Sequence, residues 1–330
     1  MRIAAILPHV GVFGGVRRFI ELGNELVRRG HEYRILHPEG TAPDWIPFAG
    51  GVARLEDGLA ERWDLAFCGD PGVFDAFARV RADRRVMFVL GQRYGPKYQA
   101  FWTPEVTVVG VNEDWREWVP GIPGHTVAGG IDLARFRPAE LRPDDPGRPF
   151  RVLGFGRLDK KVKGVKYLFA GMRRLGRGAQ LALYDNAPID LPWTARWFLE
   201  VELYVGLDQE ALAALYRSAD VVASPEVSAG WSNSVAEAMA SRVAVVCTPA
   251  GTAALASDGE TALVVPRGDG RALGDALRRL RADPTLRQRI AGNGWRRVQD
   301  YSWSKTCDRL LGAIAAADRS RGDVLATRPV

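Results

Sequence analysis

Short apolar runs alternate with stretches of helical periodicity along almost the whole chain. The first run, Ile3–Leu7, is followed by Gly15–Arg29, where Val16, Phe19, Ile20, Gly23, Leu26 and Val27 recur at the spacing of one helix face. Gly30 stands where a glycine ends a helix. Further strands are predicted at Tyr33–Leu36, Leu65–Cys68, Val86–Leu90 and Val106–Val111, with helices between several of them. The alternation restarts at Arg151–Phe155. It continues through Gln180–Tyr184, Val201–Tyr204, Val221–Ser224, Ala244–Cys247 and Ala262–Val265, with helices at 165–175, 209–218, 232–241 and 271–282. Pro284 opens another helix. The stretch 284–318 reads as two helices separated near Tyr301-Ser302-Trp303. Such alternation predicts an α/β protein with parallel sheets covered on both faces.

Residues 137–149 break the pattern. They are rich in Pro and charge and have no periodicity, which suits an interdomain linker. The reading divides the chain into domains 1–140 and 150–305, with 306–330 as a C-terminal helix and tail that has the first domain available to pack on. Doubly wound, Rossmann-like domains bind ligands at the carboxyl ends of their strands. Two such edges facing each other across a cleft would hold a two-part substrate.

Composition narrows the classes. The 330 residues suit two domains at roughly 100–200 residues each. No apolar run approaches the roughly 18–20 residues of a membrane span, and Met1–Pro8 is too short for a signal peptide. Cys68, Cys247 and Cys307 are odd in number and far apart. They form neither a disulfide framework nor a zinc site, and they suit a reducing cytoplasm. The net charge of +6 favours phosphate-rich ligands or anionic surfaces. Much of the excess is Arg on helices, as in Arg278-Arg279-Leu280-Arg281. No basic run interleaved with stacking aromatics points to nucleic acid.

Three stretches can carry chemistry. Gly11-Val12-Phe13-Gly14-Gly15-Val16 joins strand to helix, where glycines allow close backbone approach and a helix start offers amides to an anion. Its spacing is not that of the dinucleotide fingerprint, and a tight turn explains it equally well. Gly156-Arg157-Leu158-Asp159-Lys160-Lys161-Val162-Lys163-Gly164 places an Arg and several Lys at a strand's carboxyl end, suited to a diphosphate or to plain solvent. From Ser224 to Ala240, a strand gives way to a loop, then to a helix capped by Ser232 or Asn233 and carrying Glu237 one turn in. That carboxylate can accept from vicinal hydroxyls, or simply complement the helix dipole.

Together these stretches resemble the family-4 retaining glycosyltransferases of the GT-B fold, over nearly the whole chain. Gly14-Gly15-Val16 with Gly30-His31 looks like the family's first helix. Gly130-Ile131-Asp132 with Phe136-Arg137-Pro138 is similar to its domain junction. Gly156-Arg157-Leu158 and Lys163-Gly164 resemble its basic loop, with one extra residue between. Val205-Gly206-Leu207, Leu212 and Tyr216 resemble the segment bordering the nucleobase. Gly230-Trp231-Ser232 through Glu237-Ala238-Met239 resembles the second half of its paired-glutamate motif. Asp258-Gly259 and Gly268-Asp269 resemble its last strand region.

The resemblance implies a nucleotide-diphosphate sugar donor, a hydroxyl acceptor and retention of configuration. It implies Arg157 and Lys163 as catalytic cations. It implies donor binding by Gly14, Gly15, Gly206, Gly230, Trp231, Ser232, Asn233, Ser234 and Glu237. His9, Gln92 and Arg93 fall on the acceptor side. No metal or other cofactor is expected, and no nucleic-acid partner. Arg93, Tyr94, Lys97, Tyr98, Phe101 and Trp102 read either as an acceptor or peripheral membrane surface or as ordinary helix packing.

The departures fall on the sugar side. The family's first glutamate corresponds to Ala229, with Glu226 three residues earlier as a candidate replacement. A later acidic position reads Ala254. A donor other than glucose, such as a deoxy sugar like rhamnose, fits these changes. A sugar-nucleotide epimerase on the same fold and a nucleotide-sugar binder without catalysis are the rival readings. Only His9, of four histidines, is well placed for the epimerase.

Overall fold

The structure, a computed structural model, describes residues 1–138 and 148–326. The predicted linker at 137–149 lies for the most part outside the described residues. The chain forms two compact units. Unit 1 comprises Met1–Gly130 and the helix beginning at Trp303, and unit 2 is Ile131–Ser302.

Among the described residues, unit 1 holds a seven-stranded sheet. Its strands are β1 (Arg2–Ile6), β2 (Glu32–His37), β3 (Gly51–Arg54), β4 (Arg62–Cys68), β5 (Arg81–Val89), β6 (Val106–Gly110) and β7 (His125–Thr126). They lie in the order β3-β2-β1-β4-β5-β6-β7, and every pair is parallel. The helices are α1 (Gly14–Arg28), α2 (Leu55–Leu59), α3 (Phe74–Arg79), α4 (Gly95–Phe101) and α5 (Trp115–Trp118). The central strand explains the layering. Ile3, Ala4, Ala5 and Ile6 are all fully buried, so both faces of β1 need cover.

One face meets the apolar stripe of α1, where Phe19 and Phe67 both set edges against Phe88 at 5.3 and 5.5 Å. The other buries Trp63, Phe77 and Trp115. Gly30 takes φ +82° just past α1, and its N–H donates to the Val27 carbonyl at 2.9 Å. The edge strand β3 departs from the predicted set. None of its four residues is buried, so its sequence carries no apolar signal.

Among the described residues, unit 2 holds a six-stranded sheet of β8 (Phe150–Phe155), β9 (Ala179–Asp185), β10 (Glu200–Val205), β11 (Val221–Ser224), β12 (Ala244–Cys247) and β13 (Leu263–Val264). The order is β10-β9-β8-β11-β12-β13, again parallel throughout. Its helices are α6 (Val165–Leu175), α7 (Trp193–Phe198), α8 (Gln209–Ser218), α9 (Asn233–Ala240), α10 (Gly270–Ala282) and α11 (Pro284–Val298). One core lies between the sheet and α6, α10 and α11, and a second lies under α8 and α9.

Unit 2 begins earlier than the composition break indicates. Ile131 donates its N–H to the Tyr301 carbonyl at 2.8 Å and bridges Ser302, and Ile131 and Phe136 join the core under α8 and α9. The chain therefore belongs to unit 2 before the Pro-rich stretch starts.

The last helix, α12 (Trp303–Ala326), starts at Trp303 rather than at 306 and is counted with unit 1. Cys307, Leu310, Ala313 and Ile314 enter the same core as Phe19 and Leu26. Arg29 pins the helix, donating to Asp308 Oδ1 at 2.6 Å and to the Ser304 carbonyl at 2.9 Å. Unit 1 also buries Arg18, 4% exposed, whose Nη2 donates to the Val127 carbonyl at 2.7 Å. Burial pushes its guanidinium down to about 9, still cationic at neutral pH. The three cysteines are free and buried. No described helix is long and apolar enough to cross a membrane.

If α12 is an integral part of unit 1, truncating its fully buried Leu310 opens a cavity in that core. Leu310→Ala should cost about 2–5 kcal/mol in denaturant unfolding. A change within error would mean that α12 contributes little to unit 1.

Candidate functional site

Because the strands of unit 2 are parallel, their carboxyl ends share one edge. The register aligns those ends, pairing Phe155 with Tyr184, Asp185 with Val205 and Ser224 with Cys247. The loops that follow are bonded to one another. Gly156 donates its N–H to the Tyr184 carbonyl at 2.8 Å, and Gly206 donates to that of Asp185 at 3.0 Å. Val227 donates to the Val162 carbonyl at 2.7 Å, which joins the loop after β11 to the loop after β8. The Thr248 hydroxyl donates to the Glu226 carbonyl, and Ser232 N–H to that of Gly251 at 3.0 Å. Five consecutive strand ends thus form a continuous rim.

Two cations stand on this rim, both beside β8's last residue. The Arg157 guanidinium lies 5.7 Å, and the Lys163 ammonium 5.5 Å, from the Phe155 ring centroid. Each is held by a buried carboxylate. Arg157 makes a fork with Asp185, Nε to Oδ2 and Nη2 to Oδ1 both at 2.9 Å. The hydrogen bonds to Asp185 hold its pKa above even the usual arginine value. Asp185, 5% exposed, also accepts from the Asn186 N–H at 2.7 Å. Lys163 contacts Glu226 Oε1, and Glu226 is 6% exposed. The pairs fix both cations in place, and they also moderate the positive field that the sequence of the loop implies.

The loop after β8 is forced close to β11. Gly164 takes φ +70°, and a Cβ there would lie 2.0 Å from the Pro225 carbonyl oxygen. Only glycine allows this approach, which sets Lys163 against Glu226.

The start of α9 completes the rim. Ser232 is the N-cap, with extended backbone, yet its hydroxyl caps no amide. It lies instead 3.2 Å from the Ser234 hydroxyl and 3.5 Å from that of Ser224. The first-turn amides, at the positive end of the helix, therefore lack a side-chain acceptor from the cap. Glu237, one turn further, is 2% exposed. It lies beside the Tyr216 hydroxyl, which is 2.5 Å from that of Tyr184. Burial first, and the nearby Glu237 charge second, push the Tyr216 phenol well above its usual pKa. Trp231 faces Tyr301 with ring centroids 5.6 Å apart, and its indole N–H is buried without a partner.

Residues 149–283, which supply this rim, match the family model described as glycosyl transferases group 1. A phosphatidyl-myo-inositol mannosyltransferase of Mycobacterium leprae is 26% identical over 94% of this chain and 96% of its own. An MMP alpha-(1->4)-mannosyltransferase of Mycolicibacterium hassiacum is 33% identical, the match spanning 58% of this chain and 48% of that one. The sucrose-phosphate synthase structure from Thermosynechococcus elongatus superposes with a TM-score of 0.80 at 18% identity, covering 99% of this chain and 100% of that one. The family match thus falls within unit 2, and the likeness to the mannosyltransferase of Mycobacterium leprae extends over both units. The chain's two parallel-sheet units are those of the GT-B fold.

Of the residues singled out in the sequence, Arg157, Lys163, Gly206 and Ser232–Ser234 stand on one edge of unit 2, with Gly230 and Trp231 on the loop leading into α9. Ala229, where the resemblance puts a glutamate, packs against Gly251, whose added Cβ would meet the Ala229 Cβ at 3.0 Å. The carboxylate of Glu226 is engaged by Lys163. Gly14, Gly15, His9, Gln92 and Arg93 belong to unit 1. The two glycines open α1. His9 is exposed and its Nδ1 accepts from the Gly11 N–H at 3.2 Å. Gln92 and Arg93 lie exposed on a single 3-10 turn.

The aromatic and basic surface proposed around them divides. Tyr98 is fully buried and donates to the Gly69 carbonyl at 2.9 Å, and Phe101 stacks on Phe74 at 4.3 Å. Both serve packing, while Arg93 and Lys97 stay exposed. The residue that sequence reasoning missed is Asp185. Its signal was available as a carboxylate directly after the apolar run Gln180–Tyr184, at the strand end where ligands bind.

Gly164→Ala is expected to disrupt the rim. The left-handed conformation alone costs a side chain about 1–2 kcal/mol, and the methyl would collide with the Pro225 carbonyl. A lower melting temperature is the expected outcome. An unchanged value would mean that the two loops are not held together through this position.

Proposed function

We propose that this protein is a glycosyltransferase that moves a hexosyl group from a nucleotide-diphosphate donor to a hydroxyl acceptor with retention of configuration. Unit 2 takes the donor. The observation that carries the reading is the rim itself, where Arg157 and Lys163 stand beside Phe155 and share an edge with the uncapped amides of α9. Breaking the bond between the anomeric carbon and the diphosphate leaves growing negative charge on the departing oxygens and positive charge on the sugar ring. Preorganised donors act strongly on such charge, each being worth on the order of 3 kcal/mol. Both cations are already oriented by their carboxylate partners, so little reorganisation accompanies donor binding. The acceptor oxygen bonds the anomeric carbon from the face that the diphosphate leaves, and its proton passes to the departing diphosphate oxygen. No side chain is assigned as a general base, and neutralisation is assigned to the protein's own cations and amides.

Glu237 serves as the residue that fixes the donor. Its carboxylate would take the ribose hydroxyls in place of, or alongside, the Tyr216 hydroxyl that it meets in this structure. Ala229 and the tethered Glu226 leave the sugar side without a free carboxylate at the family's position. Two relatives carry the name mannosyltransferase, which supports a donor sugar other than glucose. Unit 1 supplies the acceptor side, with His9, Gln92 and Arg93 on its exposed loops. The same reading sets the enzyme in the cytoplasm, meeting lipid-linked acceptors peripherally at the inner membrane face.

Arg157→Ala and Lys163→Ala should each lower turnover at least about tenfold. Both should keep a cooperative unfolding transition, and near-normal turnover in both would remove the rim from the mechanism. Glu237→Ala should instead weaken binding of the nucleotide diphosphate, measured by calorimetry. Affinity equal to that of the parent would show that Glu237 supports the Tyr216 hydroxyl and nothing else.

A further inference from the structure

The short helix α7 connects β9 to β10, the edge strand of unit 2's sheet. Its inner side is ordinary, since Ala195 is buried in the core with Ile189 and Leu191. Its outer side is not. Trp193, Trp197 and Phe198 are 70%, 79% and 66% exposed. Trp193 and Trp197 are one turn apart and share a face. Single exposed hydrophobic side chains are common on soluble proteins, but a cluster of large ones marks a surface that meets something.

The charges beside this cluster are mainly positive. Arg196 is the one charged residue within α7, and it is exposed. Phe198 also lines a cavity of about 410 Å³ together with Met172, Leu199, Arg173, Arg177 and Glu200. Arg173 and Arg177 are exposed, and Glu200 is occupied by the Gln180 side chain at 3.0 Å. The other nearby acids are Asp190, ahead of α7, and Glu202 on β10, whose carboxylate is paired with Arg151 at 2.6 Å. The cavity lies where β9 and β10 begin, at Ala179 and Glu200, which is the opposite end of the sheet from the donor rim.

We propose that this face of unit 2 docks on the surface of an anionic phospholipid bilayer. Trp193, Trp197 and Phe198 enter the headgroup region, where amphipathic aromatic rings are favoured. Arg173, Arg177 and Arg196 meet lipid phosphates, adding the electrostatic attraction that a short apolar insertion needs to persist. The docking face and the donor rim occupy opposite strand ends, so a bound bilayer leaves the rim uncovered by this contact. The inference goes beyond the donor reading and shares with it only the peripheral membrane placement. Vesicle binding requires no sugar nucleotide, so failure here and failure of the donor reading are separately visible.

The full chain should co-sediment with vesicles of phosphatidylcholine and phosphatidylglycerol but weakly with phosphatidylcholine alone. Its tryptophan emission should shift to the blue and be quenched by brominated acyl chains. Combining Trp193→Ser, Trp197→Ser and Phe198→Ser, all at exposed positions, should reduce binding at least about tenfold with the melting temperature preserved. Arg173→Glu with Arg177→Glu should remove the preference for anionic vesicles. Equal vesicle binding by parent and triple variant would overturn the proposal. So would a dimer of the parent that the triple variant dissociates, since the face would then belong to a second copy, or no binding to either vesicle.

Discussion

Every strand pair in both units is parallel, and this constraint organises the rest of the molecule. A parallel sheet sends each connection back across a face, so helices must cover both sides and all carboxyl ends meet on one edge. In unit 2 that edge gathers residues far apart in sequence. Arg157, Asp185, Gly206, Glu226 and Thr248 come from five different strand ends yet form one bonded series. The chemistry of the site follows from the topology, because loops at the opposite edge cannot join the series.

The rim also shows how a cationic site is kept stable without a ligand. Two unpaired cations beside a helix's positive end would repel each other and that end. Pairing each with a buried carboxylate removes most of the cost and holds the long side chains in one geometry. On the proposed donor reading, a diphosphate would meet oriented donors rather than mobile ones. That reading makes Asp185 and Glu226 as necessary to the site as the cations themselves, although neither would touch the leaving group.

Much of this was legible in the sequence wherever burial leaves a periodic trace. The strands β1, β8, β9, β11 and β12 are apolar on both faces and read directly. The helix face of α1 and its closing glycine read equally well. What escaped detection carries no such trace. None of the four residues of β3 is buried, and pairing with β2 makes it a strand. The unit boundary sits where Ile131 bonds to Tyr301, a contact spanning most of unit 2, rather than where composition changes. At the site, Arg157 and Lys163 stood out as unusual residues in a short loop. Asp185 did not, because one carboxylate after a strand gains meaning only when the neighbouring strand is known. Residue type leaves the cap open between Ser232 and Asn233; Ser232 takes the position, and its hydroxyl turns to other serines.

The order in which the parts of unit 1 occur along the chain has a consequence for biosynthesis. Its core is not complete until Leu310 and Ile314 are in place, and these come from α12, after all of unit 2. On a ribosome, unit 2 has every residue that it needs as soon as Ser302 emerges. The earlier-made sheet of unit 1 must wait with part of its apolar face uncovered. Unit 2 is therefore poised to fold first although it is translated second, reversing the usual amino-terminal order. The interval before α12 arrives is when the nascent chain would most need a chaperone.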